Sequence, residues 1–244
     1  MTTRLAALVV AALVVVPTAL GAKPPKTTTG YDISYPQCGT LLPTNVAFGI
    51  VGVNNGIVYS ANPCLAKELT WAERYEATPI LYANTGNPGP TLSSHWPTGQ
   101  TAPQYCDPLL PDSGACSYDY GWNAAADSYA DAVGAGAPQP SEWWLDVETA
   151  NSWETNTASN VYALQGAVAY LQSQGVRAIG FYANASDWQT ITGNTTVFSS
   201  FPSWRAGAGN QRNAASYCGT NGVTGARIKY SQYASGGYDA DVRC

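Results

Sequence analysis

The segment Glu142-Trp143-Trp144-Leu145-Asp146-Val147-Glu148 carries two carboxylates two residues apart at the end of an apolar, aromatic run. Read as a strand, it places Asp146 and Glu148 on one face and Leu145 and Val147 on the other. Two acids at the mouth of a buried strand lose solvation and repel each other, which raises the pKa of one of them. A carboxyl that keeps its proton toward neutral pH can act as a general acid, and an ionised neighbour can stabilise positive charge, the combination that breaks glycosidic bonds. An Asp-x-Glu pair alone is common on solvated surfaces; the strand context and the flanking tryptophans give this one its weight.

Further acids have similar settings. Asp32 sits within Gly30-Tyr31-Asp32-Ile33-Ser34, and Asp239 and Asp241 stand two apart in Gly237-Tyr238-Asp239-Ala240-Asp241. Turn or capping roles are the ordinary alternative for such aspartates. Other chemistries fit less well. His95 is the one histidine, in a Pro/Gly-rich stretch with no nucleophile elbow beside it, which argues against a Ser-His-Asp or Cys-His site. No phosphate-binding glycine loop or dinucleotide fingerprint is present, so no cofactor is expected. Without a Cys-x-x-Cys pair, no metal is expected either.

The elements that must hold these groups alternate. Short apolar or β-branched runs cover 31–34, 47–53, 79–83, 142–148, 177–184, 203–207 and 228–233. Several are apolar on both faces, as buried parallel strands are. Between them, helical spacing marks 62–76, 119–133 with an Ala126, Tyr129, Ala130 and Val133 stripe, and 158–174 with Val161, Leu164, Val168 and Leu171 on one face. Thr157 or Ser159 is the expected cap of the last helix and Gly175 its stop. Strand and helix in alternation predict an α/β fold on parallel strands. The stretch Thr85 to Cys116 is too long for an ordinary connection and reads as a lid, a binding wall or a disordered segment, in which His95, Trp96 and Tyr105 could touch a ligand.

Residues 1–21 have the layout of a secretory signal peptide, with Arg4, an apolar run from Leu5 to Leu20 and small residues before a cut after Gly21. Residues 22–28 read as a disordered leader and 29–244 as one domain. The expected product is secreted, extracellular or wall-associated, with no stable membrane insertion once the signal is removed. All six cysteines, 38, 64, 106, 116, 218 and 244, fall in the exported part. Fifteen pairings are formally possible, of which the sequential one, Cys38 with Cys64, Cys106 with Cys116 and Cys218 with Cys244, is expected, each bridge contributing about 3 kcal/mol by loop-closure entropy. The net charge of −5, with 11 Lys and Arg scattered along 244 residues, excludes a nucleic-acid footprint. Eight Trp and 16 Tyr against 4 Phe suit a sugar ligand, since these rings offer a flat apolar face with a polar tip. Trp143, Trp144, Trp153, Trp188 and Trp204 fall in or just after the expected strands, near the expected mouth.

Four segments, in order, resemble glycoside hydrolase family 25: Gly-Tyr-Asp-Ile-Ser at 30–34, Trp-Leu-Asp-Val-Glu at 144–148, Gly-Phe-Tyr-Ala-Asn at 180–184, and Tyr-Ser-Gln-Tyr-Ala-Ser with Tyr-Asp-Ala-Asp-Val across 230–242. The resemblance implies a single (β/α) barrel of TIM-like type, incomplete or irregular, that cleaves the β-1,4 link of peptidoglycan. It implies Glu148 as general acid and base, Asp146 as charge stabiliser or acetamido orienter, and Asp32 and Asp241 as supporting acids. Trp144, Tyr182, Gln232 and Tyr82 are the candidates for contact with substrate. The chain departs from the family at Tyr35-Pro36-Gln37-Cys38, at Gly52-Val53-Asn54-Asn55-Gly56 and at Ser231, all in the expected cleft. Those departures motivate an alternative, a non-catalytic wall-polysaccharide-binding protein on the same barrel. A monomer with a polysaccharide partner is expected in either case.

Overall fold

The computed structural model describes residues 29–244; the expected signal peptide and leader lie outside the described residues. Eight strands close a barrel in sequence order. They are β1 (Thr29–Ile33), β2 (Gly49–Gly52), β3 (Ile80–Asn84), β4 (Glu142–Asp146), β5 (Ile179–Ala183), β6 (Ser203–Ala208), β7 (Ile228–Ser235) and β8 (Tyr238–Arg243). The first seven run parallel, as expected from their two-sided apolar character. The eighth, absent from the sequence expectation, is antiparallel to both β7 and β1. A two-residue turn turns the chain back: Ser235 pairs with Tyr238 across Gly236 and Gly237, at φ 63° and 86°. Positive φ at both centres is what tight hairpins require and what glycine supplies without strain.

Alternation sorts each strand into two layers. Ile33, Val51, Val53, Leu81, Trp143, Leu145, Val147, Ile179 and Phe181 face outward into a core shared with the helices. Phe48, Ile50, Ile80, Trp144, Tyr182, Trp204 and Tyr230 fill the barrel interior. Two glycines of the family-like motifs make room for that filling: a Cβ on Gly30 would stand 2.3 Å from the Phe48 ring and one on Gly180 2.3 Å from the Trp144 ring. Below this layer Lys229 pairs with Glu142 at 2.6 Å, closing the barrel floor.

The described helices are fewer than the strands: α1 (Leu65–Ala72), α2 (Gly114–Gly134), α3 (Thr157–Ser173), α4 (Ala185–Thr192) and α5 (Gln211–Ser216). The ring of strands is therefore closed while the helical layer is irregular. α3 follows its expected span and ends at Gly175, φ 83°, but its cap is Asn156, whose side chain accepts from the Ala158 N–H. An exposed Asn one residue earlier outcompetes Thr157 and Ser159 because both of those already lie inside the helix.

The stripe expected on α2 is not its buried face. Ala130 and Val133 face solvent, and the face turned inward is Gly121, Ala124, Ala125, Ser128 and Ala132. Small residues are selected there because α2 and α3 cross almost backbone to backbone. A Cβ on Gly121 would lie 1.8 Å from the Ala163 carbonyl oxygen, and one on Gly166 would lie 1.9 Å from that of Tyr118. Gly121→Ala should therefore force the two helices apart and cost about 1–3 kcal/mol in a urea titration. A variant as stable as the wild type would show that the crossing is loose.

The long segment after β3 runs without strand or helix from Thr85 to Ser113, where the Ser113 side chain caps α2. Its own bonds order it: Gly99 N–H donates to the Cys106 carbonyl and Cys106 N–H to that of Gln100, both at 2.9 Å. The cysteines pair sequentially, Cys38–Cys64, Cys106–Cys116 and Cys218–Cys244. Among the described residues, no helix is long and apolar enough to cross a membrane.

Candidate active site

The parallel strands deliver their C-terminal ends to one rim, where loops are free to carry chemistry. Inward positions there line a cleft of about 280 Å³: Asp32 from β1, Tyr82 and Asn84 from β3, Asp146 from β4, Tyr182 from β5, Trp204 from β6, Gln232 from β7 and Asp239 from β8. Glu148 lines it from two residues past β4, where the Val147 N–H still donates to the Tyr182 carbonyl and prolongs the alternation. A short 3-10 turn, Tyr35–Gln37, adds a rim wall directly ahead of Cys38, whose disulfide fastens it to the start of α1. The chain's departures at Tyr35, Pro36, Gln37 and Gly56 thus fall on the cleft surface.

Asp146 is buried and held on both sides. Asn84 donates its side-chain amide to Oδ2, and Thr85 Oγ1 donates to the Asp146 carbonyl at 2.6 Å. Oδ1 has no donor from backbone or amide. Glu148, two residues on, lines the same cleft as Asp146. Burial, then the charge of Glu148, pushes Asp146 well above the usual carboxylate range; burial, then Asp187, raises Glu148. The pair therefore keeps a proton where exposed carboxyls have lost theirs. Trp153 Nε1–H donates to the Glu148 carbonyl at 2.8 Å, fixing the turn that presents Glu148.

On the opposite wall, Tyr182 donates its hydroxyl to Gln232 Oε1 at 2.8 Å, and Gln232 Nε2 donates to Asp32 Oδ2 at 3.1 Å. Beneath Asp32 lies Asp241, accepting the Trp204 indole N–H at 2.8 Å. Burial raises Asp32 well above its ordinary value, with Asp241 and Asp239 adding to it. Asp241 is pushed up to about 7 by burial, against the hydrogen bonds from Asp32 and Trp204.

A carboxyl raised in the folded state binds protons more tightly there than in the unfolded chain, so its contribution to stability is fully present below about pH 4 and is lost as pH rises toward about 7. Asp241→Asn keeps an acceptor for Trp204, offers a donor to Asp32 and does not titrate. We expect it to be more stable than wild type by about 2 kcal/mol at pH 8, with a shallower fall between pH 5 and 8 in paired urea titrations. An unchanged slope would remove Asp241 from the account.

Two expected site residues are corrected in position. Trp144 is fully buried in the interior layer, its Nε1–H donating to Glu142 at 2.9 Å, and does not line the cleft. Inward residues two apart on a strand occupy successive layers, and Trp144 lies one layer below Asp146. Asp241 likewise lies below the cleft and Asp239 at its surface, because β8 runs from rim to floor. Trp143 and Trp188 stand outside the barrel wall, stacked on Tyr129 at 5.9 Å and edge-on to Phe181 at 5.5 Å. Sequence reasoning missed Asn84. The strand expected from sequence ends at Ala83, whereas β3 runs one residue further and the Ile80, Tyr82 alternation brings Asn84 to the mouth.

Residues 122–217 match the family model described as Lysozyme-like protein 1. Probable GH family 25 lysozyme 4 of Dictyostelium discoideum is 34% identical over 99 residues, 41% of this chain and 45% of that protein. Probable GH family 25 lysozyme 2 of the same organism is 40% identical over 63 residues, 26% of this chain and 29% of that one. Over these segments the chain is similar to glycoside hydrolase family 25 lysozymes. It spans less than half the length of the curated family 25 relatives it matches. The fold agrees with that of solved lysozymes. The lysozyme from Aspergillus fumigatus superposes with a TM-score of 0.55 at 14% identity, over 89% of this chain and 94% of that one. The bacterial lysozyme from Streptomyces coelicolor gives 0.54 at 15%, over 90% and 93%. The match to Lysozyme-like protein 1 across residues 122–217 contains Asp146 and Glu148; Asp32 and Asp239 lie outside it.

Proposed function

We propose that this protein is a secreted glycoside hydrolase that cleaves β-1,4 bonds of peptidoglycan with Glu148 as the proton donor. The observation that carries the reading is the Asp146–Glu148 pair at the mouth of β4, one carboxyl buried and clamped by Asn84, the other reaching the cleft, each with a raised affinity for a proton. Glu148 passes that proton to the glycosidic oxygen as the bond to the anomeric carbon breaks. The pair gains negative charge as positive charge develops on the sugar, and Asp146 opposes it from below. Asp32, Asp239, Gln232 and Tyr182 present donors and acceptors to the sugar hydroxyls from the facing wall. Export as one domain at 29–244, behind a signal peptide, is supported by the three disulfides, which form and persist in oxidising compartments.

The test is release of new reducing ends from purified peptidoglycan, with N-acetylmuramic acid identified at the ends released. No release, with retained co-sedimentation on peptidoglycan, would instead make this a wall-binding protein. Because the reaction needs a protonated Glu148, we expect kcat/KM to be highest on the acidic side and to fall as pH rises through the range in which that carboxyl ionises. A rate still rising above pH 8 would contradict this assignment.

A further inference from the structure

Beside the cleft lies a second hollow of about 330 Å³ that the proposed chemistry does not use. The two share Asn151, and their walls continue into each other from Gly56 to Ile57. The long segment after β3 builds much of the outer wall, with His95 on it. The His95 imidazole stacks on Tyr59, ring centroids 4.0 Å apart and planes within 6°. Tyr59 in turn meets Tyr120 of α2 edge-on at 5.5 Å. Three separate stretches of chain thus converge on one aromatic wall.

Three observations give the hollow a ligand. Tyr59 holds φ at 56°, left-handed backbone that a tyrosine adopts only where its surroundings enforce it, and such strain gathers at binding sites. Ile57 and Leu92 stand 58% and 77% exposed on its walls, large apolar groups presented to solvent in a concavity rather than packed away. None of its lining residues is Lys, Arg, Asp or Glu. Aromatic faces beside hydroxyls and amides suit an uncharged sugar ring; the carboxylates of a stem peptide would find no Lys or Arg here.

We infer that the hollow formed by Tyr59, His95, Leu92 and Ile57 is a binding subsite for a neutral N-acetylhexosamine of the same glycan strand that crosses the cleft. The inference rests on the proposed function and deepens it: the protein grips long strands at a point away from the bond it breaks, and short fragments are poorer ligands.

The test uses the Glu148→Gln protein, which does not degrade its ligand, and peptide-free peptidoglycan strands of two and six sugars. The six-sugar strand should bind more tightly. His95→Ala and Leu92→Asp, both at exposed positions, should each weaken it about fivefold and leave the two-sugar strand unchanged. Equal affinity of both variants and their parent for the six-sugar strand overturns the inference, as does equal weakening of both strands. An affinity gain seen only with peptide-bearing strands assigns the hollow to the stem peptide and likewise overturns it. Wild-type hydrolysis is scored separately. Length-dependent binding without hydrolysis removes the catalytic reading and keeps the subsite, and hydrolysis without length dependence does the reverse. Failure to bind any strand overturns both.

Discussion

Glu148→Gln is expected to lower kcat/KM on peptidoglycan by about 10²–10⁴-fold, the range a positioned proton donor supplies, with little change in stability. Glutamine has the shape of glutamate and can still hydrogen-bond Asp146, so the mouth of β4 and the turn fixed by Trp153 should persist. What is lost is the proton. Asp146 cannot substitute, because its carboxyl is buried and clamped by Asn84. The measurement is initial rate against glycan concentration for both proteins, with unfolding curves alongside. A variant that retains a tenth of the wild-type rate would remove Glu148 from the donor role.

Trp144→Ala is expected to cost about 3–5 kcal/mol of stability while the molecules that remain folded keep their KM. The ring has no exposed surface, packs edge-on against Tyr230 at 5.3 Å and Trp204 at 6.0 Å, and covers Gly180. Removing it opens a void in the layer that supports Asp146 and Tyr182. It also leaves Glu142 with Lys229 but without the indole N–H. Urea unfolding at 25 °C reads the first effect and saturation kinetics at low temperature the second. A raised KM at unchanged stability would return Trp144 to the sugar.

Seven of the eight strands were legible because buried parallel strands announce themselves as short apolar runs, and the two carboxylates of β4 because acids are conspicuous in such a run. Legibility failed where position along a strand, rather than residue type, decides the role. Asp239 and Asp241 share a face, and their order from rim to floor depends on the direction of β8, which the Gly236-Gly237 pair encodes as a hairpin turn but which a pattern of parallel strands conceals. Trp144 stands in the motif and below the site for the same reason. The inward face of α2 was misread because hydrophobic periodicity weighs residue size, whereas close approach to α3 selects for its absence at Gly121 and Gly166.

The closure of the ring sets a timetable. Thr29 pairs with Val242 and Gly30 with Asp241, so the strands most distant along the chain are neighbours in the barrel. Contacts of such long sequence separation form late and slow folding, while helices such as α2 and α3 can pack early through nearby sequence. Asp32 and Asp239 come from opposite sides of that final seam. During refolding, helical signal and much of the core would return first, and a functional cleft only when the seam zips. The facing wall of the site is thus a late product of assembly, and partly folded chains carry the Asp146–Glu148 pair without the surface that would present a glycan to it.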